Sequence, residues 1–180
     1  MEKGSSIAPF NLGGFYKARD PKTALKYYKT AAKRGNAEAM HKCGHMLEVY
    51  QGVKLDLEAS KRFYRDGGDN GNGLSYNNLA VMMDKDDDDI SDEALALYQR
   101  AAELGSADAK TNLARAMLLG PQANKHEALS MLQEAVADES HMGGNAAFLL
   151  GMFYSCSEFC DEAHPEWAAS LMQRAELLEP

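Results

Sequence analysis

The chain lacks any long hydrophobic run, and this absence excludes a protein anchored by an ordinary membrane-spanning helix. No apolar stretch approaches the roughly 20 residues that such a helix needs. The opening residues are polar and no apolar signal-peptide core follows them, so we expect no secretory signal. With 180 residues and 45% hydrophobic side chains, the chain can build one globular core or one array of repeats.

Cysteine is also scarce. An odd, sparse set of three, Cys43, Cys156 and Cys160, does not describe a disulfide framework and is typical of a reducing compartment. We therefore expect a cytoplasmic protein. Cys156, Cys160 and His164 form C-x-x-x-C-x-x-x-H, but the spacing departs from zinc signatures and no fourth ligand lies nearby. We predict no metal at this segment.

A basic excess is missing as well, because the formal net charge is -8. This balance argues against nucleic-acid binding through a basic surface. The charge is unevenly distributed: residues 1–65 hold 13 Lys+Arg and 6 Asp+Glu, whereas residues 66–180 hold 6 and 21. The difference can steer a partner or guide assembly, or simply reflect two solvated surfaces of different composition.

No catalytic signature is present. The chain contains no G-x-S-x-G, no S-x-x-K, no phosphate loop and no H-E-x-x-H, so we predict no enzyme and no cofactor. The stretch "DKDDDDISDEAL" resembles a calcium loop, but Asp89 stands where the loop needs Gly and Leu95 where it needs Glu. It is better read as an acidic linker that ends in a helix capped by Ser91.

What the chain does have is an internal repeat. The pattern A-x-x-x-L-G-x-x-Y begins at Ala8 and recurs with its leucine slot at positions 12, 43, 79, 113 and 150. A second pattern, A-x-x-Y-Y-x-x-A-A-x-x-G, lies between these and is clearest at residues 24–35 and 94–105. Both patterns place their apolar residues on one helical face. Gly35, Gly71 and Gly105 follow periodic runs, where a left-handed helix cap favours glycine.

This alternation resembles the Sel-1-like repeat family, a relative of the tetratricopeptide repeats. The loop "YQGVKLD" at residues 50–56 is similar to that family's inter-helix loop. The resemblance implies an all-α, right-handed α-solenoid of five helical hairpins, about ten helices, and the role of an adaptor that gathers other proteins. The expected divisions are a tail at 1–5 and repeats at 6–35, 36–71, 72–105, 106–142 and 143–180.

Within each repeat we call the first helix A and the second B. The resemblance implies that A helices line a concave groove where a peptide binds beside the leucine slot. The candidate contacts are Asn11, His41, Lys42, His45, Asn77, Asn78, Thr111, Asn112 and Arg115. Asparagine can donate and accept hydrogen bonds, so it can hold a peptide backbone without reading its sequence. The alternative is that these asparagines bond to the neighbouring helix.

His41 and His45 are four residues apart and could share a metal, but zinc needs further ligands, so we expect two surface histidines instead. The predicted partner is a protein or peptide in the groove, with no nucleic acid. The alternative is a structural subunit that packs through its ends or convex face. A hydrolase-like member of the family is disfavoured. The partner's identity and the oligomeric state stay open.

Three local features carry further expectations. Lys22, Lys26, Lys29 and Lys33 share one face of the first B helix, which could contact an acidic partner or be merely solvated. "RDGGDNGNG" places Gly67-Gly68 where the repeat has Ala-Ala, so we predict that the second B helix ends early or frays, as a hinge. In the first helix, Ile7, Phe10 and Phe15 are cap residues, a docking patch or contacts for a neighbour, and Phe10 is expected to be partly exposed.

Overall fold

The computed structural model describes residues 5–49, 52–84, 90–119, 125–137, 143–155 and 165–178. Within these ranges the chain forms ten α-helices: α1 (Ile7–Tyr16), α2 (Pro21–Lys33), α3 (Ala37–Glu48), α4 (Leu57–Asp69), α5 (Gly73–Asp84), α6 (Asp92–Glu103), α7 (Ala107–Leu119), α8 (Lys125–Ala137), α9 (Gly143–Ser155) and α10 (Pro165–Leu178). The two helices of each hairpin pack together: α1 with α2, α3 with α4, α5 with α6, α7 with α8, and α9 with α10. The predicted all-α fold of five helical hairpins is confirmed.

The chain divides into two compact units. Helices α1 to α6 belong to the unit Met1–Gly105, and α7 to α10 belong to the unit Ser106–Pro180. The core of the first unit includes buried residues of α2, α3 and α4, among them Tyr28 and Cys43. The core of the second gathers Leu132, Leu150 and small alanines from α7 to α10.

Most helices begin at a residue whose side chain caps the first turn. The capping oxygens accept a hydrogen bond from the backbone three residues on, which satisfies an N–H that has no partner inside the helix. The capping residues of α2 to α7 are Asp20, Asn36, Asp56, Asn72, Ser91 and Ser106. The predicted cap at Ser91 is therefore confirmed, with its Oγ 3.2 Å from the Ala94 nitrogen.

The B helices of the first unit end at glycines with left-handed backbone. Gly35, Gly71 and Gly105 have φ of +88°, +91° and +82°, as the sequence predicted. At the first two, the N–H of the glycine and that of the asparagine after it bond back to carbonyls of the last helical turn. These two hydrogen bonds close the helix, and the next A helix begins two residues after the glycine.

Inside the first two hairpins, a glycine on the A helix packs against a tyrosine from the B helix. A Cβ added to Gly13 would lie 2.6 Å from the ring of Tyr28, and one added to Gly44 would lie 2.6 Å from the ring of Tyr64. Only glycine leaves room for this approach, and a large side chain fills the space above a small one. The G of the first repeat pattern and the second tyrosine of the other are thus packing partners.

The prediction that the second B helix ends early is wrong. Helix α4 continues through Gly67 and Gly68 to Asp69 and has 13 residues, the same length as α2. Both glycines are buried, and a Cβ on either would collide with Ser75 or Tyr76 of α5. Close packing of α5 therefore explains these glycines and offsets their low helix propensity.

The opening helix α1 is buried on the side that faces α2 and is exposed on the opposite side. Phe10 is half-buried and lies against Tyr28, with 5.7 Å between ring centroids, so the expected partial exposure of Phe10 is confirmed. Ile7 and Phe15 remain 65% and 58% exposed. Leu12, which occupies the leucine slot, is 41% exposed, whereas the same slot is buried in the later A helices.

Candidate functional site

The A helices of the first unit carry one row of partly accessible polar side chains. Asn11, Lys42 and Asn78 stand immediately before the leucine slot of α1, α3 and α5. Asn11 is exposed, and the other two are half-buried. We call these three residues the polar row. Side chains at equivalent positions of stacked repeats point in the same direction. The polar row therefore places one polar side chain from each A helix on the same surface.

Asn78 is held in place by two neighbouring helices. Its Nδ2 lies 3.2 Å from Nε2 of His41 on α3 and donates to the hydroxyl of Tyr64 on α4 at 3.4 Å. The Tyr64 hydroxyl in turn donates to Glu48 Oε2 at 2.8 Å. We call Glu48, Tyr64, Asn78 and His41 the polar network. It restricts the rotamer of Asn78, which therefore bonds to neighbouring helices, as the alternative for these asparagines expected.

His41 takes part in this network as a neutral ring. An amide nitrogen can only donate, so Nε2 of His41 must accept and its proton must be on Nδ1. His41 is 9% exposed, and burial lowers its pKa despite the opposing charges of Glu38 and Glu48. Among the described residues, the buried Nδ1 has no hydrogen-bond partner.

Tyr64 and Cys43 are both unreactive at neutral pH. Burial raises the pKa of the Tyr64 hydroxyl, and the hydrogen bond and charge of Glu48 raise it further. Burial also raises the pKa of the Cys43 thiol to about 12, so it remains protonated and is a poor nucleophile. Both side chains therefore act in packing and hydrogen bonding.

Lys42 is anchored within its own helix. Its Nζ lies 2.9 Å from Oε1 of Glu38, and the other oxygen of that carboxylate accepts from Asn72 at 3.0 Å. Burial raises the pKa of Glu38, but the hydrogen bond and charge of Lys42, together with smaller contributions that include the hydrogen bond from Asn72, outweigh burial, and the pKa is lowered. Both side chains are more than a third exposed, so the pair contributes little stability and its charges stay accessible.

The structure separates the nine predicted contact residues by accessibility. His41, Asn77 and Thr111 are buried, with 9%, 5% and 6% exposure. The expectation of two surface histidines is therefore wrong for His41, because its ring packs beside Tyr64. His45 is half-buried on the same helix. No group of three possible metal ligands occurs among the described residues.

The remaining predicted residues belong to the second unit. Asn112 and Arg115 are half-buried on α7, and the hydroxyl of Thr111 bonds to the backbone of Ala107 in its own helix. The first unit thus brings together His41 and Asn78, joined directly, with Lys42 and His45 on the same A-helix surface. Cys156, Cys160 and His164 lie outside the described residues, as do positions 85–89 of the acidic linker.

Sequence reasoning missed Glu48 and Tyr64. Tyrosine recurs in the B helices at the spacing of core residues, and this spacing indicates an apolar packing role for Tyr64 and no hydrogen-bonding one. The available signal was that tyrosine carries a hydroxyl, which needs a partner when the ring is buried. A polar A-helix residue near the end of α3 could have been proposed for that role, and Glu48 is such a residue.

The predicted lysine face on α2 borders a cleft of about 280 Å³ on the B-helix side of the first unit. Lys29 and Lys33 line it, with Phe63 and Asp66 of α4 opposite. The Lys29 ammonium lies 5.8 Å from the ring centroid of Phe63, within the range of a cation–π contact. Lys22 and Lys26, on the same helix, are exposed to solvent.

The geometry defines a helical-repeat protein built of paired A and B helices. The particular repeat follows from comparison with solved structures. A Sel1 repeat protein from Oxalobacter formigenes superimposes with a TM-score of 0.83 and 23% identity over 97% of this chain and 74% of that protein. The chain therefore has the Sel1-repeat fold, which confirms the resemblance seen in the sequence.

Two further structures extend the comparison. The SLR-fold protective antigen c5321 of uropathogenic Escherichia coli strains gives a TM-score of 0.78 and 22% identity, over 99% of this chain and 43% of that protein. YrrB, a TPR protein with an unusual peptide-binding site, gives 0.57 and 20% identity, over 98% and 87%. No protein-family model and no curated protein sequence matches the chain.

None of the described helices is both long and apolar enough to cross a lipid bilayer.

Proposed function

We propose that the protein is a non-enzymatic interaction module that binds a protein or peptide partner along its A-helix surface. The observation that carries this proposal is the polar row, and above all Asn78, whose half-exposed amide is fixed by His41 and Tyr64. Because His41 and Tyr64 take both Nδ2 hydrogens, Oδ1 is the atom that would accept a hydrogen bond from a peptide N–H, at low entropic cost. The proposed partner binds in the groove that A helices line in related solenoids, within a reducing, cytoplasmic compartment.

The charges beside the polar row favour a partner that offers backbone hydrogen-bonding groups together with acidic or basic side chains. Lys42 and Glu38 present both signs side by side, each more than a third exposed. Such an accessible pair can orient the partner, and reversing the charge of Lys42 would place like charges opposite each other and weaken binding. The likeness to YrrB, a TPR protein with a peptide-binding site, supports this class of function.

Site-specific photo-cross-linking tests the proposal. A photoreactive amino acid at Asn11 or Lys42 reports on the A-helix surface, and one at Lys26, an exposed residue of α2, is the matched control. We expect the same partner to be cross-linked in native extract from the first two positions and not from the third. Purified partner should then bind wild type in calorimetry and lose affinity after Lys42→Glu.

A structural subunit that packs through its B-helix surface is the second candidate, because the cleft beside Lys29 and Phe63 offers a basic and apolar contact. Cross-linking from Lys26 but not from Asn11 or Lys42 would favour this candidate and contradict groove binding. Lys29→Glu would then weaken the complex, whereas Lys42→Glu would leave it unchanged.

A further inference from the structure

Three equivalent positions are buried in later A helices and open in the first. They are the small-residue slot, the leucine slot and the position three residues after the leucine slot. In α3 they are Ala39, Cys43 and Met46, with 0%, 0% and 1% exposure. In α9 they are Ala146, Leu150 and Phe153, at most 4% exposed. In α1 they are Ala8, Leu12 and Phe15, all three exposed. We call these last three the α1 end face.

The molecule itself shows what covers such a face. Helix α3 packs against α2, α5 against α4, and α9 against α8, so the cover is in each case the B helix of the preceding hairpin. At α5 the fit is close enough that Gly67 of α4 has no room for a Cβ beside Ser75, the counterpart of Ala8. A helix with a small residue at that point is therefore the shape that the α1 end face accepts.

Helix α1 is not built to face water. None of its ten residues is charged, although α3 carries Glu38, Lys42 and Glu48 on its accessible side. Apart from Asn11, the exposed side chains of α1 are apolar, and a contiguous apolar surface of this kind is typical of an interaction site. Ile7 adds to the exposed apolar surface, one residue before Ala8.

The rim of the α1 end face is basic. The Arg19 guanidinium carbon lies 4.8 Å from the centroid of the Phe15 ring, and Lys17 is exposed at the end of α1. A covering helix gains electrostatic energy only if its own flank is acidic.

We propose that the α1 end face docks an amphipathic helix of a partner protein, packed as α2 packs on α3, with a small residue opposite Ala8 and an acidic flank beside Arg19. This surface borders Asn11, one member of the polar row, but includes neither Lys42 nor Asn78, and the proposal does not depend on groove binding. The burial pattern sets the geometry of the docked helix, and the basic rim sets its charge.

The probe is a hydrocarbon-stapled peptide with the sequence of residues 20–34, in which K22E, K26E, K29E and K33E make the flank acidic. The unchanged stapled sequence, which keeps its lysines, is the matched basic peptide. We expect the acidic peptide to bind the full chain and to shift the amide NMR signals of Ala8, Leu12 and Phe15. We expect the basic peptide to bind at least 10-fold more weakly.

Two variants of the full chain complete the test. Leu12→Asp should reduce the affinity for the acidic peptide at least 10-fold, whereas Leu57→Asp, at a leucine 52% exposed on α4, should leave it unchanged. Arg19→Glu should weaken binding of the acidic peptide and strengthen that of the basic one, which a folding defect would not do.

Three results would overturn the proposal. The first is no binding of the acidic peptide at millimolar concentration, and the second is signal shifts confined to other helices. The third is concentration-dependent self-association of the wild-type chain, measured by sedimentation, that Leu12→Asp abolishes. That result would identify a second copy of the chain as the occupant.

Discussion

At the scale of single residues, Tyr64 connects packing to the candidate site. Its ring fills the space above Gly44, and its hydroxyl joins Glu48 to Asn78. The absent Cβ of one residue therefore determines the position of a hydrogen bond two helices away. A change at Gly44 should affect both the stability of the fold and the orientation of the Asn78 amide.

Gly44→Ala tests this connection. The added Cβ would lie 2.6 Å from the Tyr64 ring, so we expect overpacking to lower the free energy of unfolding by about 1–3 kcal/mol. The matched control is Gly14→Ala, where the nearest atom is 3.8 Å away and alanine should stabilise the helix by up to about 1 kcal/mol. Urea unfolding followed by circular dichroism measures both. Equal effects of the two changes would contradict the packing account.

His41 provides a prediction about pH. Because burial lowers its pKa below the usual 6.5, the unfolded chain binds more protons than the folded chain in the interval below that value. The contribution of His41 to the free energy of unfolding should therefore be fully present above about pH 6.5 and should fall as the solution is acidified. The Hε1 signal of His41, assigned with His41→Gln, should titrate below 6.5 in the folded chain and near 6.5 in urea. A folded-state midpoint at or above 6.5 would refute the neutral ring.

At the scale of helices, the end of α4 shows why a local rule can mislead. Two adjacent glycines weaken an isolated helix, and this is why the sequence predicted a break. The approach of Ser75 and Tyr76 reverses that conclusion, because any larger residue at 67 or 68 would push α5 away. Tertiary contact therefore decides this helix end, and propensity does not.

Hydrogen exchange measures the consequence. We expect the amides of residues 66–70 to be protected as well as those of residues 94–104, because α4 is helical to Asp69 and the following turn is closed by backbone bonds. Gly68→Ala should reduce protection in both α4 and α5. Fast exchange limited to residues 66–70 in the wild type would contradict this expectation and support the predicted hinge.

Periodicity predicted the helices and their pairing because the repeat itself records which faces meet. The slots of Leu79 and Leu113 could be assigned to a core from spacing alone. The candidate site was harder, because the accessibility of His41 depends on how far the Tyr64 ring extends from another helix. A hydrogen bond between residues 37 positions apart, such as His41 with Asn78, leaves no periodic trace in the sequence.

At the scale of the whole chain, the two compact units give a direct test. The unit at residues 1–105 contains three complete hairpins, and three is about the number that a repeat array needs for stability. We expect residues 1–105, produced alone, to be helical and to unfold in one cooperative transition. Circular dichroism during heating checks this. A broad, non-cooperative loss of signal would show that residues 106–180 are needed for folding.

The glycine turns have a consequence for how such a chain can grow. Residues 36–71 begin with the asparagine of one turn, Gly35-Asn36, and end with the glycine of the next, Gly71-Asn72. If this segment were duplicated in tandem, the new junction would place Gly71 before Asn36 and so recreate the same dipeptide. Gene duplication at this boundary would therefore lengthen the array without inventing a new connection.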